Sequence, residues 1–166
     1  MSSSWLPLLF LACSASGCCS LYATSGCLSS EEIRSTADQQ EVLEWLGDER
    51  SWVREEAART LGRARSPLAR ERLESMLQDR AEKSYVRAAC AEALGSIADP
   101  QSLPLLSGVV AQPDLPPEVK IASVRALCAF EGPEPLAAIA PLASNEDLLV
   151  SAAASAQLAS SCGRAR

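Results

Sequence analysis

The sequence predicts an all-α fold, an α-α superhelix of about four stacked helical repeats, and three observations lead to that prediction. A pattern that begins at Val53 recurs at equal spacing at Val86 and Val119, and a degenerate copy begins at Val150. Within each copy the apolar residues recur at every fourth position, which places them on one stripe of a helix. A second apolar helical pattern follows the first three copies at the same spacing. Each unit is therefore predicted to be a helical hairpin that buries its apolar face against its neighbours.

The pattern divides residues 38–162 into helical units. Asp38 and Glu41 have the spacing of a capping box, which predicts the start of the first helix. Ser66-Pro67 and Asp99-Pro100 each place a capping side chain before a proline suited to a first helical turn. Pro141 lies deeper in its helix and is expected to bend or shorten it. The predicted units are an N-terminal half repeat at 38–47, hairpins at 51–78, 84–111 and 117–144, and a C-terminal half repeat at 145–160.

The recurring Val-Arg, small residues and Ala-Leu-Gly resemble HEAT repeats of the short type first noted in phycobilisome lyases. The resemblance extends over roughly residues 38–160 and implies a solenoid whose concave face, formed by the second helix of each hairpin, binds a protein partner. It also implies a ladder in which an acidic residue before each first helix pairs with a basic residue inside it. The matching pairs are Asp48 with Arg54, Asp79 with Arg87, and Asp114 with Lys120.

The solvent-facing positions of the second helices change from charged to small and apolar along the chain. A contiguous exposed surface of that kind is typical of a contact surface. Alanine could also have accumulated on a surface without function, and the alanine-rich segment 151–160 could dock on another subunit. The sequence therefore leaves a partner-binding adaptor and a self-associating homo-oligomer open. The predicted partner-binding residues are Arg72, Ser75, Leu105, Gly108, Ala138 and Pro141.

The segment before Glu31 contains none of the charged residues of the chain. The apolar run from Trp5 to Ala12 is too short for the roughly 20 residues that span a bilayer, but it is typical of a signal peptide. It leads to Ala15-Ser16-Gly17-Cys18, which resembles the lipobox of a bacterial lipoprotein signal. This resemblance implies a signal peptide at 1–17, an acylated Cys18, a flexible tether at 18–37, and a location at the cell envelope, facing the periplasm or the exterior. Acylation at Cys13, a plain secretory leader and an uncleaved N-terminus are the alternatives.

Composition argues against several functions. The chain has no histidine, which excludes His-based catalysis and His metal sites. Its net charge of −6 argues against nucleic-acid binding, which needs a basic surface. The interpretation is a non-enzymatic protein without catalytic, cofactor or metal sites, and a lyase-related enzyme or its accessory subunit is the remaining alternative.

Three side-chain groups are interpreted as structural. The arginine cluster is interleaved with glutamates, and Glu55 lies one helical turn before Arg59, so a solvated paired face is expected. Cys90 and Cys128 are placed about 12 Å apart by helix geometry, which is too far for a disulfide. Trp45, Trp52 and Tyr85 lie where helices begin or end and are interpreted as packing residues. The arginines of the cluster are Arg59, Arg63, Arg65, Arg70 and Arg72.

Overall fold

The computed structural model describes residues 36–164, with the side chains of residues 38–160, and this part of the chain is helical without strands. The predicted signal peptide and most of the tether, with Cys13 and Cys18, lie outside the described residues. None of the described helices is long and apolar enough to cross a membrane. The all-α prediction is confirmed. The helices are α1 (Thr36–Trp45), α2 (Ser51–Arg63), α3 (Arg70–Gln78), α4 (Ser84–Ile97), α5 (Leu103–Val110), α6 (Pro117–Leu127), α7 (Pro133–Ile139) and α8 (Leu148–Arg164), with 3-10 turns at Pro67–Ala69, Pro100–Ser102 and Ala140–Ser144.

Two of the predicted helix starts differ from the structure. Helix α1 begins at Thr36, so Asp38 lies inside the first turn and the predicted capping box is wrong. Ser66 precedes its 3-10 turn, but its buried hydroxyl donates to Gln39 Oε1 at 2.7 Å and leaves the turn uncapped. A buried hydroxyl needs a hydrogen-bond partner, and the glutamine of α1 provides one across the layers.

The other two helix signals are confirmed. Asp99 Oδ1 accepts a hydrogen bond from the backbone N–H of Gln101 at 2.9 Å and caps its 3-10 turn. Helix α7 ends at Ile139, and the chain tightens into a 3-10 turn that contains Pro141. The proline ring removes one backbone donor and crowds the preceding turn, which shortens the α-helix.

The helices form two layers. Helices α2, α4, α6 and α8 stack in sequence, and α2, α4 and α6 approach so closely that their contacts need glycine. A β-carbon on Gly62 would lie 2.7 Å from the α-carbon of Ala93, and one on Gly95 would lie 2.6 Å from that of Ala126. Cys128, directly after the end of α6, occupies the corresponding repeat position, and α8 packs less closely on α6. Helices α1, α3, α5 and α7 form the other layer.

The packing groups the helices one step differently from the predicted hairpins. Helix α3 packs mainly on α4 and helix α5 on α6, while α1 packs on α2. The array therefore consists of three hairpins, α1–α2, α3–α4 and α5–α6, and a last unit in which α8 packs on the 3-10 turn that follows α7 and on α6. The helix assigned to a half repeat at 38–47 completes a hairpin with α2, and the one at 145–160 completes the last unit.

The core lies between the two layers. Leu61, Leu94 and Leu127, the repeated leucine of the three copies, are fully buried, and each contributes about 1.5–3 kcal/mol to folding. Cys90 is buried as well, and burial raises the pKa of its thiol to about 12. The Cys128 thiol donates to the carbonyl of Val124 at 3.2 Å. Neither cysteine forms a disulfide, as predicted.

The predicted ladder has the expected basic residues but different acceptors. Arg54 donates to the carbonyls of Asp48 and Glu49 at 2.6 and 3.0 Å. Its other nitrogens form a two-bond ion pair with Glu82 at 2.6 and 2.7 Å. The Asp48 carboxylate instead binds Arg50, which holds the pKa of Asp48 at about 2.

The next two copies follow the same rule. Arg87 Nε donates to the carbonyl of Leu77 at 2.9 Å, and Asp79 accepts from the backbone N–H of Ala81 at 2.8 Å. Lys120 Nζ donates to the carbonyl of Pro113 at 3.4 Å, and Asp114 is exposed. Short acidic side chains at loop starts bind nearby backbone N–H groups, which leaves the loop carbonyls as acceptors for the basic residues. The predicted ladder of side-chain ion pairs is therefore wrong. Arg54, Arg87 and Lys120 bind loop carbonyls instead of the predicted aspartates.

Candidate protein-binding face

Helices α2, α4 and α6 form the more closely spaced layer, which we call the inner layer, and its solvent-facing side is called the inner face. These helices touch backbone to backbone, whereas α3 has few contacts with either α1 or α5 in the other layer. Close spacing of α2, α4 and α6 is what the structure shows of the two layers. That the second helices of the predicted hairpins form a concave face stays a prediction.

Two exposed aromatic side chains lie at one edge of this inner face. Trp52 opens α2 and is 59% exposed, and Tyr85 occupies the same position in α4 and is 41% exposed. The Arg50 guanidinium lies over the Trp52 ring at 5.3 Å from its centre, and the Tyr85 hydroxyl donates to Ser51 Oγ. The interpretation as packing residues is therefore wrong for Trp52 and Tyr85, which are exposed, and is confirmed for Trp45, which packs against the core.

Glu118 continues this row on α6. A hydrogen bond from the Ser84 hydroxyl lowers the pKa of the Glu118 carboxyl, so the side chain is held as an anion. Tyr85 and Glu118 thus each bind a serine at the start of the preceding inner helix. The row, which we call the aromatic edge, consists of Trp52, Tyr85 and Glu118.

Two further rows cross the inner face beside the aromatic edge. The nearer row is Glu55, Ala88 and Ile121, partly exposed side chains that change from charged to apolar along the array. The next row consists of Arg59, Glu92 and Arg125, whose charges alternate in sign. Its Glu92 pairs with Arg125 at 3.9 Å, and Arg59 pairs with Glu55 at 2.8 Å, as the sequence predicted. The face therefore combines apolar centres with charges of both signs.

The residues predicted to bind a partner lie on the outer layer. Arg72, Ser75, Gly108 and Pro141 are exposed there. Leu105 and Ala138 are half-buried and pack against the core, because the apolar stripes of α5 and α7 are wide enough to include them. A partner-binding role for this outer layer stays a prediction.

The described residues offer little to a metal ion. Between residues 36 and 160, no group of three or more Cys, Asp and Glu side chains is arranged to hold one. The carboxylates that come close to other charged groups pair instead with arginines, as Glu82 does with Arg54 and Glu74 with Arg70.

Comparison with known proteins agrees with this architecture. Residues 39–116 match the family model of HEAT repeats. This stretch covers most of α1 and all of α2 to α5, with the closely packed α2–α4 contact at its centre. HEAT repeats generally mediate interactions between proteins. No curated protein gives a significant match to the chain.

Among solved structures, the HEAT-like array is similar to human deoxyhypusine hydroxylase in complex with glycerol. The two share 14% sequence identity with a TM-score of 0.41, and the alignment covers 78% of this chain and 86% of that one. A likeness of this size carries no conclusion about activity.

Proposed function

We propose that the HEAT-like array is a non-enzymatic adaptor that binds a protein partner on its inner face. The observation that carries the proposal is the exposure of Trp52 and Tyr85 side by side at the aromatic edge. Tryptophan, tyrosine and arginine are the residues that most often dominate the energy of protein interfaces. An isolated exposed aromatic residue is ordinary, but two at equivalent repeat positions on one face offer neighbouring anchors to a partner.

The rows beside the aromatic edge suit the same role. Ala88 and Ile121 provide an apolar centre, and the alternating charges of Arg59, Glu92 and Arg125 would favour a partner with the complementary order of charges. Charges at the margin of an interface mainly affect specificity and association rate, whereas buried aromatic residues affect affinity. We therefore expect the aromatic edge to carry most of the binding energy.

A pull-down from envelope extract tests the adaptor. We expect the double variant Trp52→Ala with Tyr85→Ala to recover at least tenfold less partner than the wild type, since each truncation removes an anchor. Ser75→Glu on the outer layer is the matched control and should recover as much as the wild type. Equal recovery by the double variant, with an unchanged circular dichroism spectrum, contradicts the inner face as the binding surface.

The adaptor is further proposed to be tethered to the bacterial envelope through a lipid on Cys18. The support is in the sequence alone: the uncharged segment before Glu31, the apolar run and the small residues that precede the cysteine. Two or three acyl chains would hold the chain on the membrane far more durably than one chain. The array would then be presented at the membrane surface at the end of the tether.

Metabolic labelling with a fatty-acid analogue tests this location. Wild-type protein and Cys13→Ala are expected to incorporate the lipid, and Cys18→Ala is expected to lose it. Full incorporation by Cys18→Ala would refute the assignment to that residue, and loss in Cys13→Ala alone would transfer it to Cys13.

Self-association through α8 is a second candidate. Leu148 is 82% exposed and Leu149 is 69% exposed, and the Ala152 and Ala156 side chains that follow on the same helix are exposed as well. These side chains form a contiguous apolar surface, and such surfaces are typical of contacts between proteins. Light scattering over a concentration series would show a mass that rises toward a dimer, and Leu148→Glu with Leu149→Glu would restore the monomer. A monomer at every concentration contradicts this candidate.

A further inference from the structure

A cavity of about 350 Å³ lies at the third junction of the array, between the loop that precedes α6 and the loop that precedes α8. It is separate from the inner face. Leu115, Pro117 and Val150 provide its apolar wall, and Asn145, Glu146 and Asp147 its polar rim. Its volume is at the lower end of the range of small-molecule sites, which is roughly 300–1,000 Å³.

Lys120 also lines this cavity and is only 6% exposed. Its ammonium group has three donors, and its hydrogen bond is a long one of 3.4 Å to the carbonyl of Pro113. Among the described residues, no carboxylate forms an ion pair with it. A buried cation is costly unless an anion or several acceptors surround it. The cavity therefore has a positive group and space beside it.

The other two junctions show how such a position is satisfied. At the second, Arg87 is 5% exposed and donates to the carbonyl of Leu77 at 2.9 Å, a shorter bond than that of Lys120, and at the first a carboxylate is added. Arg54 occupies the repeat position of Lys120, two repeats earlier. It donates two hydrogen bonds of 2.6 and 2.7 Å to the Glu82 carboxylate. The guanidinium lowers the pKa of Glu82. At the third junction the repeat is shorter, because Val150 follows Val119 by two positions fewer than Val119 follows Val86. Glu146, which takes the position corresponding to Glu82, is exposed and forms no ion pair with Lys120.

We propose that this cavity binds a carboxylate group on a short aliphatic chain, with Lys120 in the role that Arg54 has toward Glu82. The aliphatic part would contact Leu115 and Val150. Asp147 Oδ1 accepts hydrogen bonds from the backbone N–H groups of Leu149 and Val150 at 2.9 and 3.4 Å, and Glu146 is exposed to solvent, so Lys120 is the charged group that a bound carboxylate would meet in the buried part of the cavity. The two rim carboxylates disfavour a dianion such as phosphate more than a single negative charge. Such a carboxylate could be a free short-chain acid or a glutamate side chain of a peptide.

The two lysines of the chain provide a direct test, since Lys83 is exposed and Lys120 is buried. With ¹³C at the lysine ε-carbons, the wild-type spectrum contains one signal from each. We expect millimolar isobutyrate to shift the Lys120 signal to saturation and to leave the Lys83 signal in place. Isobutyramide and phosphate should move neither. A shift of equal size at both lysines, or none at Lys120, overturns the proposal.

Matched variants give an independent readout. Saturation transfer from the protein to the isobutyrate methyl groups is expected in the wild type and in Lys83→Met, and its loss is expected in Lys120→Met. Retention in a folded Lys120→Met overturns the proposal. N-acetylglutamate amide distinguishes the two sources: binding comparable to that of isobutyrate indicates a glutamate side chain, and binding by isobutyrate alone indicates a free acid.

Discussion

Gly95 lies directly against Ala126, so that a β-carbon on Gly95 would be 2.6 Å from the Ala126 α-carbon and 2.8 Å from its β-carbon. The same relationship holds one repeat earlier between Gly62 and Ala93. Real β-carbons do not approach a neighbouring backbone to this distance. The inner layer can therefore be this closely spaced only where one helix has no side chain, and the spacing of α2, α4 and α6 depends on these two glycines.

Replacing Gly95 with alanine should force α4 and α6 apart. We expect Gly95→Ala to lower the free energy of unfolding by about 1–3 kcal/mol, since the obstacle is backbone that cannot move aside. Gly108→Ala is the matched control: nothing lies within 4 Å of its β-carbon, and alanine is the better helix former. Thermal unfolding followed by circular dichroism measures both. A Gly95→Ala protein as stable as Gly108→Ala would contradict the close contact.

The ion pair of Arg54 and Glu82 should stabilise the junction of the first two hairpins. Glu82→Gln keeps the shape but removes the charge, and we expect it to lower the free energy of unfolding by about 1.5–3 kcal/mol at pH 7. Glu71→Gln removes the charge of an exposed carboxylate that pairs with Arg70, and it should change the free energy of unfolding by less than about 1 kcal/mol. Denaturant titration distinguishes the two. Equal effects would mean that the partly buried pair contributes no more than a surface pair.

The same pair predicts a pH dependence. Arg54 lowers the pKa of Glu82 in the folded state below its ordinary value of 4.5. The stabilisation is therefore present above pH 4.5 and is lost as the pH falls through the folded-state pKa. Unfolding midpoints measured from neutral pH downward should fall less steeply in Glu82→Gln than in the wild type. Parallel curves would show that Glu82 is not the group responsible.

Ala98 ends α4 with left-handed backbone angles, φ 56° and ψ 37°, which a residue with a β-carbon adopts at a cost. We expect Ala98→Gly to raise the free energy of unfolding by about 0.5–1 kcal/mol. Ala64 ends α2 with ordinary helical angles, and Ala64→Gly should instead lower stability. The difference in melting temperature between the two variants measures the effect. A loss of stability in both would indicate that the strain at Ala98 is negligible.

Much of the fold was predictable because the repeat is encoded by apolar spacing. The repeated leucines, such as Leu94, are buried as their periodicity requires. The grouping of helices was not predictable, because spacing along the chain does not tell whether α3 packs on α2 or on α4. The inner layer is determined by backbone contacts such as that of Gly62, which appear in sequence only as a conventional helix-ending glycine.

The candidate site was harder to predict for the same reason. The position of Trp52 and Tyr85 at the start of helices, close to the junctions, suggests packing residues, yet they lie opposite the apolar stripe of those helices. Comparing that opposite face across the repeat would have placed Trp52, Tyr85 and Glu118 in one row. The partner of Arg54 could not be found from local spacing, since Glu82 is distant in sequence and belongs to the next junction.

Site-specific photo-crosslinking in envelope extract tests the central proposal most directly. A photoreactive amino acid would replace Ala88 or Ile121 on the inner face, and Ser75 or Gly108 on the outer layer. The account predicts that both inner positions crosslink to one and the same protein, that adding Trp52→Ala and Tyr85→Ala abolishes the product, and that the outer positions give none. Crosslinks to a protein from the outer positions, with none from the inner ones, would contradict the inner face as the binding surface.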